Sequence, residues 1–188
     1  MIVGIDYSMT SPAICVCAGD FIYKDCKFAF ITNRNKLAVQ HTPNIVGLPL
    51  YEYKDNLERF TKLAQMTVGF IREHIVYNGY TIHIGLEGYA FGAKGQVFNI
   101  GENTGILKYT LNKFSQGEVR IFAPSEIKKF ATGKGNANKV LMYEAFVEET
   151  GHDLAKVFEI DEYKGQGPVS DIIDSYYVAK IRHKHLNS

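Results

Sequence analysis

The 188-residue sequence predicts an α/β fold in which amphipathic helices pack on a sheet. Three observations carry that expectation: the chain opens with a run of short strands, it then alternates helix and strand patterns, and two strands share one device. Val3-Gly4-Ile5-Asp6 and Ile84-Gly85-Leu86-Glu87 each read apolar, glycine, apolar, acid. If these strands lie side by side and parallel, period-2 alternation sets Gly4 and Asp6 on one face, with Gly85 and Glu87 matching them. Two carboxylates would then meet at one sheet edge, where such a pair shares a proton or holds a cation. The alternative is two unrelated strand-end acids facing water.

The length suits one domain, 1–188, and 46% hydrophobic with 22% charged residues excludes a disordered chain. No run of about 18 apolar residues predicts a membrane span. The N-terminus enters a strand directly, without the basic and apolar regions of a signal peptide, so a cytoplasmic location is expected. Cys15, Cys17 and Cys26 lie on predicted strands without a CxxC pair or nearby histidines, which reads as reduced core thiols rather than zinc ligands. The net charge of +1 hides an asymmetry. Arg120, Lys128, Lys129, Lys134 and Lys139 face only Glu126 across 120–139, whereas 144–162 is acidic apart from Lys156. One basic face is enough for a polyanion partner.

In order, Ala13–Ala18 and Phe21–Thr32 follow the first strand as a meander joined at Gly19-Asp20. Residues 33–52, with Asn33, Asn35, Pro43, Asn44, Gly47 and Pro49, read as a long loop, either a functional flap or an insertion, with insertion the preferred reading. From Tyr53 to about Asn78, Leu57, Phe60, Ala64, Val68, Ile71 and Ile75 recur at three and four, which predicts a helix. The Glu87 strand leads into a glycine-rich loop, 88–95, that carries Tyr89, Phe91 and Lys94. A helix over 97–115 places Gly101 and Gly105 on one face, a spacing that permits close backbone approach or simply packing on the sheet. A short strand, Glu118–Ala123, precedes a helix capped by Pro124-Ser125. Residues 132–139, TGKGNANK, form a basic loop into a helix that ends near Gly151. The loop lacks P-loop spacing; it reads as a solvated turn or a phosphate contact. The acidic 152–167 segment reads as a mobile connection, and Ser170 as the N-cap of a last helix, Asp171–Lys184.

On that helix Asp171, Asp174, Val178 and Ile181 fall within roughly one 80° stripe, so two carboxylates continue an apolar face. Desolvating like charges costs several kcal/mol per ion unless something positive compensates. Asp171 in the first turn could serve the helix dipole. Asp174 has no such role, and a divalent cation with oxygen ligands, magnesium or manganese rather than zinc, is the better partner.

GIDYS, LEGYAFG, GENTGIL, GKGNANK and SDIIDSYYVA, in that order, resemble the motifs of the RuvC family of Holliday junction resolvases, within the ribonuclease H-like superfamily. The likeness runs across nearly the whole chain, with the G-x-G-x-A-x-K element at Gly133, Gly135, Ala137 and Lys139. The resemblance implies a mixed five-stranded sheet, three antiparallel strands then parallel ones, flanked by helices. It implies that Asp6, Glu87, Asp171 and Asp174 are the metal ligands and that the enzyme resolves four-way or branched DNA as a homodimer by paired nicks. The Gly101 helix would lie at the dimer contact. The 33–52 loop and the acidic 152–167 segment depart from the family pattern, and the compact form without accessory domains resembles a phage-encoded or otherwise divergent member, in the host cytoplasm.

Two magnesium ions, with manganese able to substitute, would activate water on one side of the phosphodiester and stabilise the leaving 3′ oxygen on the other, leaving 5′-phosphate ends. Asp6 would bridge, Glu87 and Asp174 would each hold one ion, and Asp171 would assist or orient water. Lys139 and Lys134 are candidates for the scissile or a neighbouring phosphate. Lys128, Lys129, Arg182 and Lys184 would contact the arms, and Tyr89 or Phe91 would stack on an unpaired base or serve only the core. Rival readings are a ribonuclease H acting on RNA–DNA hybrids, an actin-like ATPase, for which the chain is too short, and a non-catalytic junction-binding protein.

Overall fold

The apolar alternation of the first residues forms the central strand, β1 (Ile2–Asp6), of a mixed sheet. The structure is a computed structural model and describes residues 1–74, 81–88, 96–114 and 118–187. β2 (Ala13–Cys17) and β3 (Cys26–Thr32) follow antiparallel, as the meander predicts. β6 (His83–Glu87) lies parallel to β1 with Gly4 opposite Gly85 and Ile5 opposite Leu86, so the two acids end adjacent strands. β7 (Val119–Phe122) extends the parallel half.

The sheet has seven strands, not five, in the order β4-β5-β3-β2-β1-β6-β7. The two additional strands come from the segment expected to be loop, which holds β4 (Gln40–Thr42) and β5 (Ile45–Pro49). The apolar run Ile45-Val46-Gly47-Leu48, hidden between turn residues, pairs parallel with β3, Phe28 opposite Ile45 and Ile31 opposite Leu48. The expected Phe21–Thr32 strand starts only at Cys26, because Phe21 takes φ 56° and Tyr23–Asp25 form a 3-10 turn.

One face of the sheet packs Val3, Ile5, Ile14 and Val16 under α1 (Asn56–Glu73) and α2 (Val97–Phe114). Asp55 caps α1 by accepting from the Glu58 amide at 2.8 Å, while Glu58 accepts from the Lys54 amide, a reciprocal cap that starts the helix three residues later than Tyr53. Its expected continuation past His74 lies outside the described residues. The other face packs Cys15, Phe28 and Phe30 under α3 (Pro124–Thr132), α4 (Lys139–Thr150) and α6 (Val169–Leu186). All three cysteines are buried and unpaired. Burial of each large apolar side chain, such as Val3, Ile5 or Phe28, contributes about 1.5–3 kcal/mol, so both faces anchor the central strands.

Three local expectations change. Ala123, without a side-chain cap, begins α3, and Pro124 takes the first helical position, where its missing N–H costs nothing. Ser170 lies inside α6 rather than at its cap, its hydroxyl donating to Asp171 Oδ1 at 3.0 Å. The 152–167 segment is docked: it carries α5 (Leu154–Val157), whose Leu154 and Ala155 are buried. Among the described residues, no helix is long and apolar enough to cross a membrane.

Candidate active site

α6 crosses β1 and β6 where both strands carry glycine. A Cβ at Gly4 would lie 2.2 Å from the Ser175 carbonyl oxygen and 2.3 Å from the Ala179 nitrogen, and one at Gly85 would lie 2.8 Å from the Val178 carbonyl oxygen. The bare strand surface therefore lets the helix backbone settle directly on the sheet, as such close approach requires glycine. That approach brings the Asp6, Glu87 and Asp174 carboxylates together, with one oxygen of each within 4.8 Å of the others.

Burial raises the Asp6 carboxyl well above the usual carboxylate range, reinforced by the charges of Glu87, Asp174 and Asp171. Glu87 is raised by burial too, and Asp174 is pushed up to about 8, by burial first and by Glu87 second. Lys139 and Lys128 pull Glu87 and Asp174 in the opposite direction. Without a cation the crowded group therefore favours protonated carboxyls, a tendency the two lysines only partly offset, and a bound cation would take the place of those protons. A donor set made of carboxylate oxygen, with no sulfur or imidazole, fits magnesium or manganese.

Asp171 stands beside this triad, held by two hydroxyls. Ser11 donates to its Oδ2 at 3.0 Å and Ser170 to its Oδ1 at 3.0 Å. The Ser8 hydroxyl accepts from the Ser11 amide at 2.8 Å, so the turn after β1 aims Ser11 across to α6. Asn103, buried in α2, donates to the Ser8 carbonyl at 3.4 Å, which ties GENTGIL to the same turn. Neither Ser11 nor Asn103 stands out in the sequence: Asn103 is one polar residue within GENTGIL, and Ser11 lies in the turn after GIDYS.

The basic loop has a structural reading residue by residue. Gly133 ends α3 at φ 77°, Ala137 is buried in the core, and the Asn138 side chain caps α4 by accepting from the Leu141 amide. Lys139 then opens α4 and donates to the Ser170 hydroxyl at 3.0 Å. A Cβ at Gly165 would touch the Lys139 side chain at 3.0 Å, and one at Gly167 would meet Asp171 Oδ2 at 2.8 Å, so the chain before α6 also closes on both groups.

The acids open into a cleft of about 540 Å3 that includes Ser8, Thr104, Lys128, Lys139 and Met142. Lys129, Lys134 and Lys184 are exposed outside it, with the Lys184 ammonium 5.4 Å from the Phe130 ring centre. Arg182 contradicts its expected place on the surface. It is 2% exposed and pairs with Glu118 at 3.0 Å, because the space left by Gly85 admits its stem. Tyr89 and Phe91 lie outside the described residues.

Linkage gives these carboxyls a stability signature. A carboxyl raised in the folded state favours folding fully below its unfolded value near 4, and that contribution is lost as pH rises through the folded value, about 8 for Asp174. In metal-free buffer the thermal midpoint is therefore expected to fall between about pH 4 and pH 8, at up to about 1.4 kcal/mol per pH unit for each group. Magnesium is expected to flatten the curve. Thermal unfolding across pH, with chelator and with magnesium, checks this; a midpoint indifferent to pH in chelator contradicts the crowding of the acids.

No family model matches the chain, and no curated protein matches it in sequence. Among solved structures it is similar to a Thermus thermophilus RuvC in complex with Holliday junction substrate, with TM-score 0.61 and 12% identity over 100% of this chain and 97% of that chain. A second Thermus thermophilus RuvC structure aligns with TM-score 0.57 and 13% identity over the same shares. The mixed sheet, the acid-tipped central strands and the crossing C-terminal helix thus belong to a known architecture: the chain has a RuvC-like fold.

Proposed function

We propose that the chain, as one nuclease domain over 1–188, cuts four-way or branched DNA by metal-dependent phosphodiester hydrolysis. The observation that carries this reading is the Asp6–Glu87–Asp174 triad, its oxygens within 4.8 Å of one another at the floor of a cleft that includes Lys128 and Lys139. The Thermus RuvC of similar fold is seen with a Holliday junction substrate, which supports the choice of DNA.

Asp6, Glu87 and Asp174 would hold magnesium or manganese, with Asp171 beside them. Bound there, the cations supply Lewis-acid charge that lowers the pKa of water and stabilises developing negative charge. Lys139, steadied by Ser170, offsets charge on the phosphate, and Lys128 does the same from α3. Asp171, fixed by Ser11 and Ser170, orients the attacking water through its carboxylate. With water as the nucleophile, no covalent intermediate is needed, and departure of the 3′ oxygen leaves a 5′-phosphate.

Paired nicks require two such sites, and α2 offers a surface for a second copy. Phe98 is 88% and Tyr109 62% exposed on the helix that carries Gly101 and Gly105, both open around the Cβ position. That stripe supports a homodimer. The test is a substrate panel of labelled four-way junction, linear duplex and RNA–DNA hybrid, with and without magnesium. Cutting of the junction alone, only with magnesium, is expected. Preferential cutting of the hybrid would replace this reading with a ribonuclease H activity.

A further inference from the structure

The segment between β3 and α1 builds a feature that the acid cleft does not account for. Beyond Asp171 and Lys139, a second cleft of about 310 Å3 opens on their far side, and it shares Thr10, Lys139 and Asp171 with the first. Its apolar lining is Phe30, Leu37 and Pro168; its polar lining includes Thr32, Asn33 and Arg34. A third cleft shares Thr32 and Asn33 with the second and continues along Pro49, Tyr51 and Tyr53. The three form one track that leads away from the acids.

The track is built rather than incidental. The amide of Gly47 donates to the Val39 carbonyl at 2.9 Å, and a Cβ there would lie 1.8 Å from the Leu37 carbonyl oxygen, so the 35–39 turn is seated on β5. His41 holds the Leu37 carbonyl at 3.0 Å and packs against Phe30 and Phe158. The Arg34 amide donates to the buried Thr32 hydroxyl at 3.1 Å, which fixes the backbone from which the guanidinium projects. Arg34 is exposed and makes no ion pair among the described residues. Tyr51 is 72% exposed at the far end.

We propose that this track holds the DNA strand being cut on one side of the scissile phosphate. The adjoining nucleotide occupies the second cleft, its phosphate at Arg34 and its base against the half-buried Leu37, and the next base stacks on Tyr51. The alternation supports this occupant. Cations that continue from the acid cleft into the second one, Lys139 and then Arg34, followed by an apolar side chain and an open aromatic face, match a single strand's phosphates and π-faces. Glu52, along the third cleft, disfavours a phosphate there and leaves Tyr51 to a base. The inserted strands would therefore set how the strand is seated for cutting.

This inference rests on the junction-cleavage reading, and the experiment separates the two. Four-way junctions with an abasic residue placed at successive positions around the cut are measured for binding in chelator and for cutting in magnesium, with wild type, Arg34→Ala and Tyr51→Ala. Both side chains are on the surface, so both variants are expected to fold. Arg34→Ala and Tyr51→Ala are each expected to weaken junction binding about tenfold. An abasic residue at one position within about two nucleotides of the cut is expected to weaken wild type by a similar factor, yet leave Tyr51→Ala indifferent. Wild-type cutting combined with unchanged binding in both variants and the same abasic sensitivity overturns the track and leaves the function standing. A wild type that cuts no junction overturns both.

Discussion

Asp6→Asn is expected to abolish cleavage while junction binding is kept or tightened. Asp6 ends the central strand, where burial first and then the charges of three neighbouring acids raise its carboxyl well above the usual range. Asparagine keeps the shape but removes the charge that holds a divalent cation, so turnover should fall by about 10^3-fold or more. Where the carboxyl is ionised, the same change removes a repulsion near the phosphates worth about 1 kcal/mol at 4 Å in water, so binding in chelator should be kept at neutral pH and improve up to about fivefold above about pH 8. Asp174→Asn should behave alike, because its carboxyl lies in the same group. Single-turnover cutting in magnesium and equilibrium binding in chelator read the two effects separately. Turnover within tenfold of wild type in both variants would place the site elsewhere.

Gly4→Ala should fail for a different reason. Its methyl carbon would sit 2.2 Å from Ser175 O and 2.3 Å from Ala179 N, both backbone atoms of α6 that no rotamer change can move. The helix must retreat, at a cost of about 1–3 kcal/mol or more. Asp171 and Asp174 retreat with it, and a shift of about 1 Å in a catalytic group can cost about 10^2-fold in rate. The expected result is a lower thermal midpoint together with lost cutting. Gly69→Ala on α1 is the control, since nothing lies within 4 Å of a Cβ there; it should be neutral or stabilising by up to about 1 kcal/mol. A Gly4→Ala protein as stable and active as wild type would refute the close seating of α6.

These two predictions concern the part of the site that was most legible. The repeated glycine-apolar-acid pattern is a local signal, and pairing of β1 with β6 turned it into two adjacent carboxylates. Asp171 and Asp174 were legible because a three-residue helical spacing is equally local. Ser11 was not, since its contact with Asp171 spans 160 positions and depends on the turn shaped by Ser8. Arg182 misled: among the histidines and lysines of the last turns it reads as solvent-facing, yet the absent side chain at Gly85 makes room for it inside. The strands β4 and β5 were obscured by flanking asparagine, glycine and proline, and the partner of β5, β3, lies too far back in the chain for a local pattern to reveal.

The most direct test of the account is to map nicks on a four-way junction labelled on each strand in turn, in magnesium, manganese and chelator. The account predicts two nicks at symmetric positions on opposing strands, with 5′-phosphate ends, in magnesium or manganese and none in chelator. Tight junction binding with no cleavage in either metal would contradict it.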